Sequence, residues 1–164
     1  MSWATKAFML GQYGVELEQR DGPAAMATFM AVQVVLLTVL ATMLGLPFTG
    51  QALTSSVIYA ASRRDPMAGI AYKFVPSIPY WTLPFALVVV EVLEANANPM
   101  AAIPSLLGIF TGHFHHFVRY VWPNLSGGKP WFTSPSVLKA WEGAGEVDEE
   151  DLAPRRGRRI GGEE

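Results

Sequence analysis

Three histidines, His113, His115 and His116, lie in one apolar run and are all the histidines of the chain. An imidazole can act as a base, a proton carrier or a metal ligand. His113 and His116 stand three apart and share a helix face, while His115 projects from another side. Two ligands on one helix fall short of the four that a closed zinc site takes. The chain has no cysteine to complete such a set. No metal and no cofactor is therefore expected. As a base, a histidine needs a nucleophile, and Ser55 and Ser56 are hydroxyls in a second apolar run. A hydroxyl is weak without an adjacent base. Small hydroxyls in apolar helices also let neighbours approach and bond their own backbone. Gly108 and Gly112, four apart, lie on one helix face and admit a close helix partner, and His113 follows at once. The preferred role for His113 is a structural hydrogen bond beside a hydrated groove.

These residues must be positioned by apolar helices. The chain has 164 residues, of which 51% are hydrophobic, with positive mean hydropathy, a composition ordinary for a small membrane protein. The reading is all-α, a polytopic helical bundle of four complete spans plus an N-terminal partial helix. The spans are 24–46, 50–61, 78–93 and 101–122. The run 24–46 has no charged residue and is the clearest of them. Residues 3–15 are too short for a full span, and 16–23 read as a charged loop. The segment 50–61 is too short to face lipid along a bilayer and belongs inside the bundle. Residues 67–77 read as a loop, and the last span leaves the helix at Pro123. Residues 1–141 form the membrane domain. Eight of the 14 acidic residues lie after Trp141, and 142–164 reads as a disordered tail.

Charge orients the bundle. Arg20, Arg63, Arg64, Lys73, Lys129 and Lys139 fall in alternate loops and the tail. The positive-inside rule puts those loops and the C-terminus in the cytosol, with Arg63 and Arg64 as loop anchors. Tyr120, Trp122, Trp131 and Phe132 cluster at that boundary, where aromatic rings settle. A nucleic-acid partner is not expected, since the basic patch is too small.

Several motifs in order resemble the Derlin family, the rhomboid-like pseudoproteases of the endoplasmic reticulum. They are Tyr13-x-x-x-Leu17-Glu18, Gly50-Gln51-Ala52-x-Thr54, Tyr59, and Ser62-Arg63-Arg64-x-Pro66. Gly108-x-x-x-Gly112-His113, Val121-Trp122-Pro123-Asn124, Gly127-Gly128 and Thr133-x-Pro135-Ser136-x-Leu138-Lys139 follow. The resemblance places His113 at the base position of active rhomboids and Ala52 at the nucleophile position, which lacks a hydroxyl. Ser55 and Ser56 stand about one turn deeper, roughly 4.5–6 Å along the helix. The resemblance thus implies no catalytic residues and a bundle that assists retrotranslocation of misfolded protein substrates to the cytosol. It implies membrane lipid, a membrane ubiquitin ligase complex and a valosin-type AAA ATPase as partners. For the ATPase, Gly157, Ile160 and Gly161 match the second half of the family's tail motif, while Pro154 stands where its aromatic belongs. The rival for this tail is a basic anchor on anionic lipid. The implied address is the endoplasmic reticulum membrane, multi-pass, with the outer membrane of a complex plastid as alternative. Rival functions are a residual intramembrane serine protease, a structural subunit of another membrane complex, and protein import across a complex-plastid membrane. The family's first span and its luminal Trp-Arg loop have no counterpart here. The chain is expected to be an incomplete gene product, or a shortened paralogue that works as a homo- or hetero-oligomer.

Overall fold

The computed structural model of the chain describes residues 3–46, 50–72, 75–127, 134–138 and 140. The tail 142–164, with Gly157, Ile160 and Gly161, lies outside the described residues, as do Lys73, Lys129, Trp131, Phe132 and Lys139. Helices dominate: α1 is Trp3–Asp21, α2 Pro23–Met43, α3 Gly50–Ser62, α4 Leu83–Glu94, α5 Ile103–His116 and α6 Trp122–Ser126. The all-α bundle carries one two-stranded antiparallel hairpin, β1 Gly69–Tyr72 and β2 Val75–Pro79.

α3 is the central helix. Val57, Ile58, Tyr59, Ala61 and Ser62 are all buried, with α1, α2, α4 and α5 packed around it. Three of its hydroxyls bond a carbonyl one turn back. Thr54 Oγ1 donates to Gly50 O at 2.9 Å, Ser56 Oγ to Leu53 O at 2.8 Å and Ser62 Oγ to Tyr59 O at 2.8 Å. The side chains stay small where α5 crosses, and the core proper gathers Leu17, Phe29, Val57, Ile58, Tyr80, Leu83 and Leu87.

α2 is the one helix among the described residues that is long and apolar enough to cross a membrane by length and composition. Its inner face repeats every four residues as Ala25, Phe29, Gln33, Leu37 and Ala41, while Val34, Val35 and Val39 point outward. The other expected spans fail that test for reasons of length. α3 has 13 residues and α4 has 12. At 1.5 Å per residue they reach about 20 and 18 Å, against a hydrocarbon core of about 30 Å.

Four boundaries differ from the sequence reading. α1 continues through Glu16–Asp21, where a loop was expected, because Glu, Leu, Gln and Arg are good helix formers whatever their polarity. It ends at Gly22, whose φ of 86° only glycine takes easily, and Pro23 starts α2. The expected loop 67–77 contains the hairpin, and the expected span 78–93 begins inside it. Ile78 pairs with Ile70 and Pro79 with Gly69; a 3-10 turn Tyr80–Thr82 follows, and α4 starts only at Leu83 with Pro84 in its first turn. The last helix does not leave at Pro123. α5 passes into a π segment, Phe117–Val121, where Trp122 N–H bonds Phe117 O, and α6 accommodates Pro123 in its first turn. It ends at Gly127, left-handed at φ 65°.

Candidate functional site

The α3–α5 seam holds the residues singled out by type and spacing. Gly108 faces Ala52: a Cβ built on it would meet the Ala52 carbonyl oxygen, with the carbonyl carbon at 2.8 Å and Ser55 Cβ at 3.0 Å. A Cβ on Gly112 would lie 3.0 Å from Ser56 O and 3.3 Å from Tyr59 Cδ1. The two glycines therefore set the distance between the helices. Ser55 and Ser56 are buried in this contact. Among the described residues neither hydrogen-bonds to His113. Instead, His113 Nδ1 lies 2.7 Å from the Tyr59 hydroxyl, with the rings edge to face. The Arg63 guanidinium covers the Tyr59 ring at 4.7 Å. Among the described residues, His113 is thus engaged by the Tyr59 phenol and by neither serine hydroxyl.

His115 is 3% exposed and sits edge-on to Phe29 of α2 at 4.9 Å between ring centres. His116 packs on Tyr120. The histidines face three different partners. Among the described residues no group of three His, Cys, Asp or Glu side chains could hold a metal. Gln33 is fully buried between α2 and α5; its Nε2 donates to Thr111 O at 3.2 Å and its Oε1 has no partner among the described residues.

Polar groups close both ends of the bundle. At the end where α1 and α3 terminate, Arg64 makes an ion pair with Asp21 and donates to the Tyr120 hydroxyl. One guanidinium thereby joins α1, α3 and the π segment. Arg63 and Arg64, read as loop anchors, are half-buried and turned onto the bundle. Nearby, the Tyr80 hydroxyl donates to Glu16 Oε2 at 2.9 Å, fastening the start of α4 to α1. A cavity of about 20 Å³ lies between Leu17, Phe29, Arg64, His115 and Tyr120.

The opposite end carries a directed chain. Lys6 Nζ donates to Gln51 Oε1 at 2.6 Å, Gln51 Nε2 to Ser105 Oγ at 3.0 Å, and Ser105 Oγ to Glu91 Oε2 at 2.5 Å. It crosses from α1 through α3 and α5 to α4. Sequence reasoning missed this chain, because its members lie on four different helices that only the packing brings together. Only the ionisable Glu91 inside an apolar run could have signalled it.

Over residues 1–136 the chain matches the model of the Der1-like family. It is 26% identical over 140 residues to Derlin-1 of Arabidopsis thaliana, covering 82% of this chain and 51% of that one. To Derlin-1.1 of Zea mays it is 26% identical over 141 residues, covering 82% and 56%. To Derlin-1 of Oryza sativa subsp. japonica it is 25% identical over 140 residues, again covering 82% and 56%. The chain spans about half the length of the curated relatives it matches.

Proposed function

Because the chain belongs to the Der1-like family of membrane proteins, we propose that it is a catalytically silent component of endoplasmic-reticulum-associated degradation. It assists misfolded proteins across the membrane to cytosolic ubiquitination and proteolysis. The observation that carries this reading is the seam. Ala52, Ser55 and Ser56 are packed against the Gly108–Gly112 face, and His113 is engaged by Tyr59 rather than by a hydroxyl on a nucleophile turn. Acyl transfer needs a nucleophile within hydrogen-bond reach of its base, and this arrangement favours a scaffold over a protease.

The short helices support the mechanical half of the proposal. Helices α3 and α4 are about 10 Å shorter than a hydrocarbon core. Matching them thins the bilayer at a cost of fractions of a kcal/mol per ångström. Thinning lowers the barrier for polar substrate segments, whose charged side chains cost about 2.5–3.5 kcal/mol each at mid-membrane on insertion scales. In this proposal the membrane is that of the endoplasmic reticulum, with the C-terminus cytosolic. The partners are misfolded substrates, a membrane ubiquitin ligase and a valosin-type AAA ATPase met by Gly157, Ile160 and Gly161.

The test is a translation-block chase of a misfolded luminal glycoprotein in cells with and without this gene. Loss should lengthen the substrate's half-life, and the purified protein should bring down a ubiquitin ligase. An unchanged half-life, with co-purification of a respiratory or photosynthetic complex, overturns the proposal. Catalytic silence has its own assay: a serine-directed fluorophosphonate should leave the protein unlabelled. Labelling that disappears in Ser55→Ala or Ser56→Ala would make it an enzyme.

A further inference from the structure

Arg63 is half-buried, and among the described residues no carboxylate forms an ion pair with it. Its guanidinium lies over the Tyr59 ring at 4.7 Å, and its Nε is buried with no hydrogen-bond partner among the described residues. Its neighbour Arg64 is taken by Asp21 and Tyr120. A half-buried guanidinium in this state has N–H donors that call for an acceptor. We propose that Arg63 and His116 hold the phosphate of phosphatidic acid, a bilayer lipid ending in a phosphomonoester, with an acyl chain along the exposed face of α5. The inference rests on the membrane placement of the family and goes beyond the degradation role.

The charges argue for an anion. Arg64, Arg63 and His113 all act electrostatically on His116, and each is a cation or can become one. His116 is half-buried and His113 exposed, so the groove between the C-terminal ends of α3 and α5 is open to a ligand. His113 Nδ1 is taken by the Tyr59 hydroxyl, and when that phenol donates, the ring carries its proton on Nε2. Arg63, His116 and His113 thus bring donors from the two helices to one groove. A phosphomonoester carries about −1.5 to −2 charge near neutral pH and three terminal oxygens. A phosphodiester has fewer free oxygens and less charge. Choline and ethanolamine headgroups add an ammonium, which meets Arg63 and Arg64 as a like charge.

Position argues for a lipid. His116 packs on Tyr120 at 5.3 Å between ring centres, and Tyr120 with Trp122 marks the level at which aromatic rings settle beside lipid headgroups. Leu106, Phe110, Phe114 and Phe117 are exposed and stand three or four apart, which makes one apolar stripe along the outer face of α5 and the start of the π segment. At 100° per residue His113 falls at the edge of this stripe, and His116 lies between His113 and the Gly108–Gly112 face. The stripe spans about 16 Å at 1.5 Å per residue, roughly half of a 30 Å hydrocarbon core. An acyl chain beginning at the phosphate therefore follows the stripe to the mid-plane. A free phosphate gains nothing from it.

The test is native mass spectrometry of the full chain in detergent, after exposure to equal amounts of phosphatidic acid, phosphatidylglycerol, phosphatidylethanolamine and phosphatidylcholine. Phosphatidic acid should be retained above the other three. Arg63→Gln and His116→Gln should each lower its retention about tenfold, as when one charge-assisted contact is removed. Arg20 is exposed on α1 and paired with Glu16, so Arg20→Gln removes an equal charge outside the groove and should leave retention unchanged. Far-UV circular dichroism checks the fold of all three, and either groove variant that folds decides the outcome. Wild-type retention in a folded groove variant overturns the proposal. A loss in Arg20→Gln as large as in Arg63→Gln also overturns it, in favour of unspecific attraction by surface charge. Equal retention of phosphatidylglycerol overturns the phosphomonoester, and equal retention of phosphatidylcholine overturns the anion site altogether. Displacement of the lipid by glycerol 3-phosphate or inorganic phosphate at matched concentration overturns the lipid source and assigns a free phosphate.

Discussion

A methyl group on Gly108 would stand 2.8 Å from the carbonyl carbon of Ala52, closer than real side chains come to backbone. Neither the α3 backbone nor the α5 backbone can yield without opening the seam. Gly108→Ala should therefore destabilise the protein by about 1–3 kcal/mol, the range for overpacked cores. Gly112→Ala meets its neighbours at 3.0–3.3 Å, one of them a Tyr59 ring atom that can shift by a few tenths of an ångström. Alanine also gains about 1 kcal/mol over glycine in a helix interior, so this variant should be close to neutral. Thermal unfolding in detergent measures both. Equal midpoints for the two variants would mean that the helices separate easily and that the close approach is not a constraint. The glycine pair was legible in the sequence because a spacing of four puts both on one face, and nothing else is needed to infer a close contact. His113 was legible only as a hydrogen-bonding group. Its partner Tyr59 lies 54 residues away on another helix, a pairing that no local pattern encodes. Gln33 was visible as the one amide among the apolar residues and threonines of α2, but its burial against Thr111 follows from where α5 packs.

At the scale of elements, apolarity was the criterion that identified α2 and misjudged α1. A run of Glu, Leu, Gln and Arg has the helix propensity to extend α1 to Asp21, and Glu16–Arg20 adds an i, i+4 ion pair at 3.8 Å. Hydropathy is silent on that point. The hairpin escaped for the opposite reason: its strands are short and β2 is broken by Pro76 and Pro79, residues that edge strands tolerate. The π segment is a consequence of Pro123, which has no N–H to give to the carbonyl one turn back, so the ladder shifts before it. This shifted turn presents Tyr120 to Arg64, which in turn holds Asp21. Three elements meet at one guanidinium, each side chain in the ion pair being about a quarter exposed. Arg64→Ala and Asp21→Ala should be non-additive, with a coupling of about 1 kcal/mol, above the typical exposed pair because Tyr120 shares the contact. Arg64→Lys should lose most of that coupling, since a single ammonium lacks the planar fork that serves two acceptors. A double-mutant cycle on thermal or denaturant unfolding reads it. Strict additivity would show that the ion pair is a surface contact and that α1 and α3 are held by apolar packing alone.

At the scale of the whole molecule the helices alternate in direction, which brings Lys6, Gln51 and Glu91 to one end and Asp21, Arg64 and Tyr120 to the other. In the proposed topology the second end faces the cytosol, as the positive-inside rule expects. Tags after Met67 and after Trp141 should then both be cytosolic and a tag after Asn96 luminal; a glycosylation reporter modified after Met67 would reverse the assignment. In the proposed role a cytosolic tail is the part that meets the AAA ATPase. The recruiting motif that the family resemblance implies pairs an aromatic anchor with a later leucine around a central glycine. This chain keeps Gly157, Ile160 and Gly161 but has Pro154 at the aromatic position. An aromatic anchor is a frequent hot spot whose truncation costs about 2 kcal/mol or more, or roughly thirtyfold in affinity. Four arginines, Arg155, Arg156, Arg158 and Arg159, supply charge in its place. Charge acts differently from an apolar anchor: each lysine or arginine near an anionic surface contributes about 1 kcal/mol, and salt screens it. A peptide of residues 152–164 should therefore bind the ATPase's N-terminal domain weakly. Pro154→Phe should tighten it by tens-fold on the same arithmetic, and Ile160→Ala should remove it. Titration of the three peptides at low and physiological salt separates the anchors. If Pro154→Phe changes nothing and all three follow salt alone, the tail is an electrostatic anchor on lipid and the proposed ATPase contact is overturned.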